Sequence, residues 1–256
     1  MSKPIILVTN DDGIAAPGIR ELILIMKEIG TVYVVAPDKP QSGMGHAVTI
    51  NSTLRVEEIY SDNSSFEWAC SGTPADCVKL AVNKILPKKP DLCVSGINHG
   101  SNSSINILYS GTMSAAIEAG IEGIPAIGFS LCDYSHNANF KAASNYIKSI
   151  ALNVLKEGLP KDIVLNVNIP KADEKEIQGV KICKQARAYW EEEFLKRVDP
   201  RGQNYYWLTG SWKNKNYENG TDEEALSENY ISIVPVQFDL TAYSFIDTIK
   251  NWNFSI

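Results

Sequence analysis

The chain has 256 residues, enough to bury one sizeable α/β core or a core with an appendage. Its 44% hydrophobic and 21% charged residues are ordinary globular material. A net charge of −6 without a basic run excludes a general nucleic-acid binder, although a small phosphorylated ligand needs only one local cationic centre.

The apolar segment after Met1 is too short for a signal peptide, and no run reaches the roughly 18 apolar residues that span a bilayer. The expectation is a cytoplasmic protein that does not enter membranes. Cys70, Cys77, Cys93, Cys132 and Cys183 form no CxxC pair and mostly sit in apolar stretches. They read as buried reduced thiols rather than disulfides or a zinc site.

Ile5-Ile6-Leu7-Val8 runs straight into Thr9-Asn10-Asp11-Asp12-Gly13, which predicts a strand buried on both faces that delivers two adjacent carboxylates at its carboxyl end. Neighbouring aspartates repel, so a hard divalent cation is their natural partner; good turn chemistry is the plain alternative. Pro17 suits a first helical turn, and Ile19, Leu22, Ile23, Met26 and Ile29 recur at helical spacing up to Gly30. Val32 to Ala36 is the next buried strand, so the chain begins β-α-β with a right-handed crossover in a parallel sheet.

The following loop, Lys39 to His46, leaves the same sheet edge as Asp11, and Ser42-Gly43 there allows backbone N–H groups to approach an anion. No dinucleotide fingerprint or Walker motif accompanies it. Val48-Thr49-Ile50, Leu54-Arg55-Val56 and Phe66 to Ala69 read as short antiparallel strands, with a turn over Ser61 to Ser65. Thr73 before Pro74 predicts an N-cap, with Asp76 complementing the positive end of a helix that carries Val78, Leu80, Val82, Ile85 and Leu86.

Asp91 to Gly96 is a further buried strand, and it leads into Asn98, His99 and Asn102, whose side chains offer amide N–H groups or neutral oxygens. Ser110-Gly111-Thr112 opens an Ala-rich helix, presenting free N–H groups and hydroxyls of the kind that suit a phosphate. A strand over Pro125 to Leu131, a helix over Phe140 to Leu155 and a strand over Ile163 to Pro170 with Asn166 and Asn168 at alternate positions complete the core.

From Gln185 the composition shifts. Tyr189, Trp190, Tyr205, Tyr206, Trp207 and Trp212 lie in polar sequence, which predicts an extended β-arm that packs on a second subunit. Base stacking by these aromatics is the sharper alternative, opposed by acidic surroundings. Ile231 to Val236 resumes a strand, and Thr241 caps a terminal helix with Phe245, Ile249 and Trp252 on one side. The division is therefore 1–185 core, 186–230 arm and 231–256 closing strand and helix. The fold class is α/β: a Rossmann-like, mostly parallel sheet flanked by helices, with a C-terminal β-arm used in oligomerisation.

Four loops from one sheet edge thus carry Asp11-Asp12, Ser42-Gly43, Asn98 with Asn102, and Ser110-Gly111-Thr112. Oxygen donors and N–H cradles without a thiol nucleophile or cofactor fingerprint point to metal-assisted hydrolysis of a phosphate ester. Asp11 as a covalent nucleophile ranks second, and His46 and His99 are weighed as proton donors against simple loop polarity.

These stretches resemble the SurE survival-protein nucleotidases. The resemblance is carried by Val8 to Ile14 with Ala16 to Ile19, Val35 to Asp38 with Gln41 to Gly43, and Ser71 to Val78. It continues through Ser95 to Asn98 with Gly100 and Asn102, Tyr109 to Thr112, and Val234 to Thr241. It implies a metal-dependent phosphomonoesterase acting on nucleoside monophosphates, 5′ and often 3′, with some members also cleaving short polyphosphate. It implies one Mg²⁺ or Mn²⁺ per subunit held by Asp11, Asp12, Ser42 and Asn98, with Asn98 and Asn102 assisting catalysis. Ser42, Gly43, Asn102, Ser110, Gly111 and Thr112 would meet the phosphate, in a homodimer that pairs into a tetramer through the arm. Lys39-Pro40-Gln41 departs from the family, which usually places Arg before the Ser. A non-catalytic nucleotide-binding stress module is the rival reading.

Overall fold

The computed structural model describes residues 3–214 and 218–254. Its centre is β1 (Ile5–Thr9), whose alternating side chains feed two different layers. Ile6 and Val8 join the core under α1 (Pro17–Lys27), while Leu7 joins the opposite core. No polar position occurs in the strand before its last residue, Thr9, because both faces are covered.

After α1 come β2 (Thr31–Pro37), β3 (Val56–Ser61), β4 (Ser65–Cys70), α2 (Pro74–Leu80) and β5 (Leu92–His99). They are followed by α3 (Gly111–Ile121), β6 (Ala126–Leu131), α4 (Ser144–Glu157), β7 (Ile163–Ile169) and β8 (Val180–Ile182). The chain closes with β9 (Tyr189–Val198), β10 (Asn204–Lys213), α5 (Asp222–Ser227), β11 (Ile231–Gln237) and α6 (Tyr243–Lys250).

The main sheet runs β3-β4-β2-β1-β5-β6-β7-β11-β8. From β4 through β7 every pairing is parallel, whereas β3 pairs antiparallel with β4 and β11 antiparallel with β7. The chain is therefore α/β with a Rossmann-like, mostly parallel sheet, α1 and α4 on one face and α2 and α3 on the other. Val8 stands opposite Val34 on β2 and Val94 on β5. Successive strands go to one side of β1 and then, from β5, to the other, so the carboxyl ends of β1 and β5 flank a topological switch point. Open sheets of this kind bind ligands at such a crevice.

Three local expectations are corrected. Val48 to Ile50 is not a strand; Thr49 donates from its backbone N and its hydroxyl to Asp76 at 3.0 and 2.6 Å, so the cap of α2 holds the segment instead. Leu54 and Arg55 precede β3, which begins at Val56. Thr241 caps nothing: its N–H donates to Asp239 at 3.0 Å, and α6 starts after Ala242 without a side-chain cap. The helix opened by Thr73 loosens after Leu80 into a wider-wound turn over Ala81–Ile85, and Thr73 and Asp76 form the reciprocal cap.

β9 and β10 pair only with each other, and Phe194, Tyr206, Trp207 and Leu208 lie 58–64% exposed on this hairpin. The chain returns to the core at α5, where buried Asp222 accepts from the backbone N of Ser104 at 2.8 Å and of Ala186 at 2.9 Å. None of the five cysteines is disulfide-bonded. Among the described residues no helix is long and apolar enough to cross a membrane.

Candidate active site

β1 delivers Asp11 and Asp12 to the switch point, and β5 delivers Asn98. Between Ser95 and Asn98 the β5–β6 ladder shifts register at Gly96, whose φ of +127° and close approach to the Phe129 carbonyl leave no room for a Cβ. Asn98 is thereby carried past the regular strand, with its amide N donating to the Gly100 carbonyl at 2.8 Å. The Ser42 loop is tied in by the Gln41 N–H, which donates to the Asp11 carbonyl at 2.8 Å.

Asp11, Asp12, Ser42, Gly43, Asn98, Asn102 and Ser110 line one cavity of about 210 Å³. Gly111 and Thr112, the next two residues after Ser110, open α3 directly against Asp11. The Thr112 hydroxyl is fully buried and donates to Asp11 Oδ1 at 2.5 Å. A Cβ at Gly111 would stand 2.6 Å from the Asp11 Cβ. The start of α3 is thus a seat for a carboxylate, its unpaired N–H end facing an acidic group. Ser110 caps α3, accepting from the Met113 N–H at 3.0 Å.

Burial pushes the Asp11 carboxyl up to about 6; the Thr112 hydroxyl works against that rise and the neighbouring Asp12 adds to it. Burial also raises Asp12, opposed by the His99 N–H, which donates to Asp12 Oδ2 at 3.0 Å. Burial is the leading cause of both shifts, the two acidic groups share one cleft, and no lysine or arginine among the described residues lines it. Asp12 keeps one carboxylate oxygen and Asn98 its carboxamide oxygen without a partner among the described residues, beside the Ser42 hydroxyl. That oxygen-only donor set fits a hard divalent ion. No group of three or more His, Cys, Asp or Glu among the described residues is placed to hold a metal, so a centre here must combine two carboxylates with neutral oxygens.

The two histidines part company. His46 lies outside the cavity, its Nε2 2.8 Å from Glu118, beside Lys79 on the same carboxylate. His99 borders the cavity, but its Nε2 lies 2.8 Å from the Ser135 carbonyl and its ring edge rests on Phe140.

Comparison with known proteins places this arrangement. The family model described as Survival protein SurE matches residues 6–192. The chain belongs to the SurE family. A 5′-nucleotidase SurE of Flavobacterium psychrophilum is 65% identical over 254 residues, 99% of each chain. One of Cytophaga hutchinsonii is 56% identical, again over 99% of each. The crystal structure of the SurE protein of Aquifex aeolicus superposes with a TM-score of 0.85 at 42% identity, covering 96% of this chain and 98% of that one.

Several residues of this SurE chain that shape the cleft carry no motif. Asn102 is clamped from β7: its N–H donates to Asn168 at 2.8 Å and its carbonyl accepts from Asn166 at 2.9 Å, while its side-chain N donates to Ser130 at 2.8 Å. The alternate asparagines of Ile163 to Pro170 were the available signal. Tyr109, at the head of the Tyr109 to Thr112 stretch, also lines the cavity, as do Asn106, Tyr134 and Trp190, which nothing in their local sequence announces.

Proposed function

We propose that this protein is a divalent-metal-dependent 5′-nucleotidase, hydrolysing nucleoside monophosphates to nucleoside and phosphate, with 3′-nucleotides and short polyphosphate as further substrates. The observation that carries this reading is a cleft with one buried carboxylate, Asp11, beside the half-buried Asp12 and no lining lysine or arginine among the described residues, in a chain 65% identical to a 5′-nucleotidase SurE. A phosphate dianion would be repelled there unless a cation were also bound.

Asp11, Asp12, Ser42 and Asn98 would hold one Mg²⁺ or Mn²⁺ per subunit. When bound, that ion supplies charge stabilisation for the phosphoryl oxygens and a water made nucleophilic near neutral pH. The chain's own residues orient the ester. Asn102, fixed by Asn166 and Asn168, presents its remaining amide hydrogen, and Ser110 and the Gly43 backbone face the same space. The Thr112 hydroxyl holds Asp11 in place, and the backbone N–H groups of Gly111 and Thr112 at the start of α3 would meet the phosphate together with Ser110.

The exposed apolar residues of the hairpin support a homodimer, with dimers pairing into a tetramer through it. Five free thiols suit the reducing cytoplasm. The test is phosphate release from nucleoside monophosphates by the purified protein across a panel of divalent metals, with EDTA as control. Release that needs Mg²⁺ or Mn²⁺ is expected; no release with any metal rejects the enzyme reading in favour of a nucleotide-binding module.

A further inference from the structure

We propose that the nucleoside part of the substrate lies in a second cavity of about 580 Å³ beside the phosphate cavity, with its base against Trp190 and Tyr109. This subsite rests on the nucleotidase reading above. The two cavities share Gly43, Asn106, Tyr109 and Trp190 in their walls, so a molecule with its phosphate beside Asp11 extends directly into the larger space. The volume lies within the range of small-molecule sites, roughly 300–1,000 Å³.

Its chemistry selects an uncharged, flat occupant. Leu208 and Glu192 from the hairpin complete the wall, and no lysine or arginine among the described residues lines it. Trp190 is 45% and Tyr109 59% exposed, aromatic surface that the chain itself leaves uncovered. The indole is nevertheless held in place. Its Nε1 donates to Asn106 Oδ1 at 3.1 Å, and its ring meets Trp212 edge-on with centroids 5.5 Å apart. With its polar edge engaged, Trp190 offers a ligand its ring, and Asn106 offers its NH₂ group. Stacking on such a surface accepts every base and favours purines by area. Trp190 begins the hairpin, so one aromatic of the arm contacts a single nucleotide without the arm being a nucleic-acid surface.

The experiment uses the full chain with Mn²⁺ and compares AMP with ribose 5-phosphate, which keeps sugar and phosphate but lacks the base. Trp190→Ala is expected to lower the ratio of kcat/KM for AMP over ribose 5-phosphate about tenfold, mainly through KM for AMP. Trp190→Phe should restore most of that ratio, and adenosine binding by equilibrium dialysis should weaken in Trp190→Ala in parallel. An unaltered ratio, an equal loss on both substrates, or failure of the unmutated protein to bind adenosine overturns the subsite. Unmutated protein that hydrolyses no nucleotide yet holds adenosine through Trp190 refutes the nucleotidase reading and leaves the subsite standing.

Discussion

Asp11 is held against its own preference: buried, beside a second carboxylate, and retained by a hydroxyl from α3. Its raised pKa means that the metal-free fold loses stability as pH climbs from the ordinary value of 3.8 to about 6, and above that the full cost of the ionised carboxylate in the cleft persists unchanged. Asp11→Asn is therefore expected to abolish phosphate release, by about 10³-fold or more, while the metal-free variant melts no lower than the parent at pH 7. Thermal scans with and without Mn²⁺ check both halves; the parent should gain stability on adding Mn²⁺ and the variant should not. Thr112→Val removes only the supporting hydrogen bond, and a loss of about 10–100-fold in Mn²⁺ affinity by calorimetry is expected. The pair Asp11-Asp12 was visible in sequence because adjacent acids after an apolar strand are costly without a cation. The hydrogen bond from Thr112 to Asp11 was not, since a hydroxyl at a helix start serves a phosphate or a carboxylate equally well until the neighbouring strand is placed.

Helix starts carry much of this molecule's local order. In α2, burial tends to raise Asp76, but hydrogen bonds from Thr49 and Thr73 outweigh it and hold the carboxyl below its ordinary range. Its contribution is thus complete above the unfolded pKa of 3.8 and is lost as pH falls through the depressed folded value. Asp76→Asn should cost about 1–2 kcal/mol at pH 7, and the difference in Tm from the parent should shrink as pH drops below 4. The cap itself was legible as Thr73-Pro74 with Asp76 three residues on. That Asp76 also pulls in Thr49, turning an expected strand into a tethered loop, depends on a contact across 27 residues that no local pattern encodes. The terminal helix shows the opposite limit: Phe245 and Ile249 lie on it as the period predicted, Trp252 falls just past its end at Lys250, and within the single chain all three stay 37–54% exposed.

At the scale of the whole molecule, the sheet supplies the site and the hairpin supplies the surplus apolar surface. Two strands paired only with each other are marginal in water, and the proposed packing on a second subunit would supply what β9 and β10 lack. Replacing residues 193–209 with a short turn keeps Trp190 and Trp212, and light scattering should then report a smaller assembly than the intact protein. An unchanged mass would mean that the hairpin does not hold subunits together. What the sequence alone determined is the layered α/β order and the acidic and Asn-bearing loops at strand ends, because burial on two faces and turn chemistry are local, periodic properties. The tertiary structure decided which of those groups face one another: the reversal of strand order between β1 and β5 brings residues 11, 42, 98 and 110 around one cleft. It also turned Thr112 to Asp11 and brought Trp190 back from the arm, since contacts between distant segments follow from packing and leave no trace in spacing along the chain.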